Sequence, residues 1–243
     1  MLSETALRAL DFYGGRERWE NCSRIQAIVN AGGLAFHIKH RPLFREALVE
    51  LEVHKPYCKI TPVGRSAGIT GVLDGHKVRL EDHADSVIAA RSNPRAFFGG
   101  RRLLYWDDLD MTYFASYAFW NYFTLPNLLL NSSIVWIEKV PGVLLAYFPE
   151  TIPTHCYAQE FHFDISSGQL LRHNYTVDII SRYARVANEV VAHGSYDGIP
   201  YVSERMVSPA KSQGMPLGWP TMIHIQVLDY AMTSSDRHKR SIL

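Results

Sequence analysis

The spacing of apolar residues changes period along this chain, and each change marks an element. From Ser3 onward Ala6, Leu7, Leu10 and Tyr13 recur at helical spacing, with Ser3 as N-cap, Glu4 in the first turn and Gly14-Gly15 as the stop. Such a run predicts one amphipathic helix, and RERWENC can add a further turn. The period then falls to two. RIQAIVNA, LAFHIKH, EALVELEVH, YCKITPV, GITGVL and HKVRLED are short β-rich runs bounded by turn residues. Ala47, Val49, Leu51 and Val53 alternate with Glu46, Glu50 and Glu52, although Leu48 interrupts the polar side. In LAFHIKH, Leu34, Phe36 and Ile38 share one side. The Asp-Gly pair in LDGH marks a tight hairpin. One wet face and one dry face read as an antiparallel meander.

From about Asp85 to Asn131 the alternation stops. This stretch is predicted to be a helical insertion covering the sheet, with SNP and GGRR as loops and Pro126 ending or kinking its aromatic helix. Strands resume in SIVWIEKV, VLLAYFP, CYAQEFHFD, QLLRHNYTVDII, ARVANEVVAH, IPYVSERMV and TMIHIQVLDY. About thirteen strands, no βα alternation and no internal linker predict an α+β chain. It would form a single domain, 1–243, on one large curved antiparallel sheet covered by helices, with 232–243 as a tail.

Inside the insertion, DMTYFASYAFWNYFTLP carries seven aromatic side chains between Tyr113 and Phe123, and Tyr105 and Trp106 lie just upstream. On a helix Trp106, Tyr113, Tyr117 and Trp120 share one face, and Phe114, Ala118 and Tyr122 another. A helix apolar nearly all round must be buried nearly all round. It either plugs the sheet as a core helix or forms a lid whose inner face touches a ligand, and the two roles are compatible. Tyr and Trp favour the lid, because their polar tips need partners when buried. A cavity for a lipophilic small molecule is therefore expected between helix and sheet, lined by some of Trp106, Tyr113, Tyr117 and Trp120.

Charge narrows the possible partners. Lys plus Arg (25) nearly cancels Asp plus Glu (24), so no global field recruits nucleic acid or an anionic membrane. The basic DRHKR near the C-terminus reads as a solvated tail. The three cysteines, Cys22, Cys58 and Cys156, are far apart and odd in number, which predicts free thiols in a reducing compartment. The N-terminus has no basic start followed by an apolar core, and no run approaches the roughly 18 apolar residues of a membrane span. A cytoplasmic location without stable membrane insertion is expected. No motif specifies an oligomeric state.

No GxSxG, P-loop, HExxH or GxGxxG-plus-helix pattern occurs, and histidine and cysteine spacing gives no metal site, so neither metal nor cofactor is expected. His37 and His40 in HIKH fall on opposite sides of an expected strand. THCYAQEFHFDISSGQLLRHNYTVDII is more suggestive. Its first strand aligns His155, Tyr157, Gln159, Phe161 and Phe163 on one face, and its second aligns Leu171, His173, Tyr175 and Val177. If Phe161 and Phe163 line the cavity, His155, His173 and Tyr175 enter it too. Polar groups there need hydrogen bonds, water or a ligand. Histidine exchanges protons near neutrality and a desolvated tyrosine can stabilise an oxyanion. Asp178 has the opposite parity and would orient a histidine if the strand end bulges. Each of these has a plain alternative as a satisfied core polar group. His224 in HIQVLDY is a weaker candidate, since both faces of that strand carry apolar residues.

DFYGGRERWENCSRI followed by a long meander resembles the opening of proteins with the LolA/LolB-like half-barrel fold. Those hold a lipid acyl chain between a curved sheet and covering helices. PTHCYAQEFHFDISSGQLLRHNYTVDII with YDGIPYVSERMV is similar to a bacterial family of like length without an assigned function. The family's motifs fall here on Thr154, His155, Gln159 to Asp164 and Arg172 to Asp178. The resemblance implies an incomplete β-barrel and leaves the activity open. Two functions follow. One is a cofactor-independent cyclase, isomerase or hydrolase acting on a lipophilic molecule, with His173, Tyr175, His155 and Asp178 as its catalytic group. The other is a carrier that needs only the walls. The inward polar residues tilt the reading toward the enzyme, and a scaffold without ligand is a third possibility.

Overall fold

The structure, a computed structural model, describes residues 2–234. Three helices come early: α1 (Glu4–Phe12), α2 (Gly15–Asn21) and α3 (Leu34–Ile38). The first meander contains β1 (Cys22–Gly32), β2 (Phe44–Glu52), β3 (Tyr57–Thr61), β4 (Thr70–Asp74), β5 (Lys77–Glu81) and β6 (Val87–Arg91). The second contains β7 (Val135–Val140), β8 (Val143–Tyr147), β9 (Ala158–Phe163), β10 (Leu170–Thr176), β11 (Arg185–Tyr196), β12 (Ile199–Pro209) and β13 (Ile223–Ser234). All pair antiparallel in one open sheet ordered β6-β5-β4-β3-β2-β1-β13-β12-β11-β10-β9-β8-β7.

The long β1–β13 pair joins the two meanders, which leaves β6 and β7 as the edges. The segment between them starts at one edge and finishes at the other, so it has to cross a face of the sheet. It crosses as two 3-10 turns (Pro94–Phe97 and Gly100–Leu103), then α4 (Asp108–Phe123) and α5 (Leu125–Leu130). α4 starts at a capping box, in which Asp107 accepts from the Asp110 N–H (2.8 Å) and Asp110 accepts from the Asp107 N–H (3.1 Å). Thr124 closes it, and Pro126 lies in the first turn of α5, where its missing N–H costs nothing. Every residue from Asp110 to Phe123 is buried, as an all-round apolar helix requires. The dry face below it includes Ile25, Ala27 and Val29 of β1 and Ala47, Val49 and Leu51 of β2.

The backbone of α4 lies closest to β3, β4 and β5. Gly71 on β4 permits this approach. A Cβ there would overlap Thr112 Oγ1, which is tied to the Asp108 carbonyl at 2.7 Å, and would meet Val63 Cγ1 at 3.0 Å. Gly71→Ala is therefore expected to destabilise the fold by about 1–3 kcal/mol. Urea unfolding would read this as a lower midpoint at unchanged slope, whereas an unaltered midpoint would mean that α4 can shift freely.

Three expectations are corrected. LAFHIKH is not a strand: Gly33, at φ +126, turns the chain out of β1, and the Leu34 and Ala35 N–H groups bond to the Thr221 and Met222 carbonyls instead of a strand partner. Of its apolar residues Phe36 is buried, while Leu34 and Ile38 are exposed. Conversely, the expected helical insertion begins with a strand, β6, whose Val87 and Ile88 are both exposed, so an edge strand there leaves no alternation to read. The strand total is right because one run replaces another. Finally, β13 extends to Ser234 with Met232 buried, so 232–234 belong to the sheet and not to a tail; DRHKR lies outside the described residues. The LDGH signal does mark the β4–β5 hairpin. Asp74 pairs with Lys77, and Gly75 takes the positive φ (+57) at the first loop position.

Candidate functional site

Residues directly opposite in adjacent antiparallel strands share a face. The register from β8 to β12 therefore sets Leu144, Phe161, His173, Asn188 and Val207 in one inward row. His173 and Asn188 are two buried polar groups in an otherwise apolar line. Tyr175, two residues along β10, is buried beside them. His155 reaches the same place from the irregular segment before β9. Asn121 of α4 donates to the Pro153 carbonyl (2.9 Å) and Arg95 donates to the Thr154 carbonyl (2.9 Å), so that segment is held from two sides. Asp178 pairs with Arg95, which also donates to the His155 carbonyl (3.4 Å). Through Arg95 it steadies the backbone of His155, and it does not take the imidazole-orienting place that a bulged strand end would have given it.

The side chains close into a network. His155 Nε2 lies 2.9 Å from the Tyr122 hydroxyl and Nδ1 3.3 Å from the Tyr117 hydroxyl, and the Tyr122 and Tyr175 hydroxyls are 2.6 Å apart. Tyr122 has one proton, so it donates to either His155 or Tyr175 and accepts from the other. The His155 and Tyr175 rings stack at 3.8 Å, and His173 stacks on Phe161 at 4.0 Å. His173 Nε2 is 2.7 Å from Gln159 Oε1, and Gln159 Nε2 donates to Thr154 Oγ1 (2.5 Å). Burial, helped by the Arg95 charge, lowers the His155 pKa to about 3, and burial takes His173 well below its ordinary value. Burial raises Tyr122 to about 12 and takes Tyr117 and Tyr175 well above the usual phenol range. At neutral pH the whole cluster is uncharged.

Besides the Arg95–Asp178 pair, a buried charge borders it. Arg205 on β12 is 4% exposed; its guanidinium lies over the Tyr122 ring at 4.8 Å, and Nη1 has no hydrogen-bond partner. Asn188 faces the Tyr122 hydroxyl without reaching hydrogen-bond geometry, leaving both its amide atoms unpartnered. Arg205 lies between two narrow clefts that share Tyr122, Phe123 and Val202. One runs toward Tyr13, Trp19 and Tyr230, the other toward Phe119, Ile225 and Val227. Water-molecule centres fit in only about 20 Å³ of the first, enough for about one water, and nowhere in the second.

The chain's architecture matches solved structures. A DUF1329 family protein from Desulfovibrio piger superposes with a TM-score of 0.51 at 12% identity, covering 98% of this chain and 97% of that one. A LolA superfamily protein from Nitrosomonas europaea gives 0.51 at 7% identity, covering 98% and 96%. The fold is a LolA-like half-barrel. No family model matches the chain, and no curated protein matches it in sequence. The superpositions show the fold alone, and identities this low carry no site residues across.

Within the half-barrel, Trp106, Tyr113, Tyr117 and Trp120 do not line the expected cavity. They pack solidly at 0–4% exposure: Trp106 meets Phe98 and Phe114, Tyr113 meets Tyr117, and Trp120 donates to the Glu52 carbonyl at 2.8 Å. The narrow clefts beside Arg205 lie along the Tyr122–Phe123 side instead, and neither is open to more than about one water. Phe161 and Phe163 do point inward, as expected, and are buried. Tyr157, by contrast, is exposed, because β9 begins only at Ala158. Leu171 is exposed while Leu170 is buried, because an irregularity between Leu170 and Arg172 resets the alternation. His224 lies on the outer face against Glu204 (2.6 Å), opposite in direction to buried Ile225. His37 and His40 are exposed. Reading by period missed Tyr122, Asn188 and Arg205.

Proposed function

We propose that this half-barrel binds a lipophilic small molecule in the seam between α4 and strands β10 to β13, as a carrier. The observation that carries this reading is the asymmetric seat of α4. Its backbone rests on β3 to β5, while the gap to the other half of the sheet is bridged by long side chains and flanked by two clefts. Side chains are easier to displace than a packed backbone, so the seam is where a ligand can enter. The walls are aromatic and aliphatic with few polar groups, the usual composition of a small-molecule site. Neutral, sealed histidines are poorly matched to proton transfer near pH 7, which favours carriage over chemistry. A cytoplasmic setting belongs to the same proposal, motivated by three free, buried thiols.

A second reading, a cofactor-independent cyclase, isomerase or hydrolase, draws on the Tyr122–Tyr175 hydroxyl pair beside His155, which offers donors to a developing oxyanion. Tyr175→Phe separates the two. Under the carrier reading, solvent extraction of purified protein followed by mass spectrometry recovers a lipophilic compound. The variant then keeps its affinity within about tenfold, the worth of one hydrogen bond, and nothing is converted. Under the enzyme reading, turnover of that compound falls by roughly 100-fold. A protein that yields no lipophilic compound and takes up none from a panel of fatty acids, fatty alcohols and polyenes would sink both.

A further inference from the structure

Arg205 is a cation buried inside the half-barrel. Guanidinium keeps its proton at any physiological pH, so this side chain carries a full positive charge inside the half-barrel. Buried charges are ordinarily paired, because an unpaired one is among the most costly things a fold can hold. Among the described residues no carboxylate lies within ion-pair distance of it, and Nη1 has no acceptor. The groups that respond to its charge are neutral: the hydroxyls of Tyr13, Tyr122 and Tyr175, and the imidazoles of His173 and His193, whose basicity it depresses. Glu204, next in sequence, points to the other face and is held by His224. Arg205 also borders both clefts along the seam, where most other lining groups are aromatic or aliphatic.

We propose that Arg205 binds the carboxylate head of an amphiphilic ligand whose apolar body lies along the Tyr122–Phe123 seam. The assignment rests on the lipophilic-ligand reading above and adds the head group to it. The planar fork of the guanidinium matches a two-oxygen anion. The guanidinium lies over the Tyr122 ring, 4.8 Å from its centroid, and Nη1 is left without an acceptor. A neutral ligand would leave the charge as costly as before, whereas a carboxylate would neutralise it on entry.

The test uses the full chain and three probes: oleate, oleyl alcohol and acetate, with binding followed calorimetrically and by the fluorescence of Trp19 at the cleft. Oleate is expected to bind about 10- to 100-fold more tightly than oleyl alcohol, the worth of a hydrogen bond to a charged group. Arg205→Met, which keeps an unbranched apolar stem and removes the charge, should bring oleate down to the level of the alcohol and leave the alcohol unchanged. The same variant should melt at or above the wild-type temperature without ligand, since an unpaired buried charge has been removed. Arg205→Lys keeps the charge without the fork, should fall between, and carries the test if the methionine variant does not fold. Equal binding of oleate and oleyl alcohol, with no effect of Arg205→Met, would overturn the head-group assignment and leave the lipophilic-ligand reading intact. Binding of neither would overturn both. Acetate competing with oleate at similar concentration would overturn the amphiphile in favour of a free anion. A lower melting temperature with equal loss of both lipids would make Arg205 a structural residue and overturn the proposal.

Discussion

Asp110→Ala is expected to lower the unfolding free energy by about 3–5 kcal/mol, the usual result of removing one partner from a buried ion-pair group. Asp110 is 0% exposed, and both its oxygens are engaged: Oδ1 by Arg91 Nη1 at 2.5 Å, Oδ2 by Arg102 Nε at 2.7 Å and the Asp107 N–H at 3.1 Å. Asp107 meets the same two guanidiniums, at 2.7 Å from Arg91 and 3.1 Å from Arg102. Burial works against its ionisation, yet these contacts and the Asp110 N–H lower the Asp107 pKa to about 2. Two carboxylates and two guanidiniums balance. Without Asp110, one largely buried positive charge is left over and half the capping box of α4 disappears. Asp107→Ala should cost clearly less, because that side chain is 38% exposed and water can take over its contacts. Urea unfolding of both variants measures the difference. A loss under about 1 kcal/mol for Asp110→Ala would mean that the arginines relax into solvent and that the quartet does not anchor α4.

What the amino-acid pattern revealed, and what it hid, follows from which signals are local. Strands with one wet and one dry face announce themselves by alternation, as β2 does through Ala47, Val49 and Leu51. The β1–β13 pairing that joins the meanders leaves no local trace, since Ile25 and Met232 meet across nearly the whole chain. Parity placed His173 and Tyr175 in the interior correctly, and failed at Leu171, where an irregular residue pairing resets the alternation. Tyr122 stayed hidden for a different reason. Every face of α4 is apolar, so periodicity could not single out the side that meets His155. Asn188 between Val186 and Val190, and Arg205 two places before Val207, did leave a signal: a polar residue in a row of inward parity. It becomes readable only once the dry face of those strands is known.

Acid should open this fold earlier than its carboxylates alone would require. The His155 pKa is lowered from 6.5 to about 3. Above pH 6.5 the imidazole is neutral in both states and contributes no pH dependence. Below it the unfolded chain binds a proton that the native state refuses, so stability falls by about 1.4 kcal/mol per pH unit until the native imidazole titrates near 3. By pH 4.5 this single residue should cost about 3 kcal/mol, a large part of an ordinary domain's stability. His173, also lowered by burial, acts in the same direction, and half-buried His193, lowered to about 4, adds a smaller, solvent-screened share. The consequence is local as well as global, because His155 is hydrogen-bonded to Tyr117 and Tyr122 of α4 and stacked on Tyr175 of β10. Protonation breaks whichever bond its acceptor nitrogen makes, at the seam where α4 has no close backbone support. Urea unfolding at pH 7, 5.5 and 4.5 provides the measurement, with His155→Gln as the comparison. The variant should be less stable than wild type at pH 7, since it loses the ring stack, and less sensitive to acid, so the two stability curves converge as pH falls. Parallel curves would mean that the native imidazole takes up its proton near 6.5 after all, and that water reaches the network.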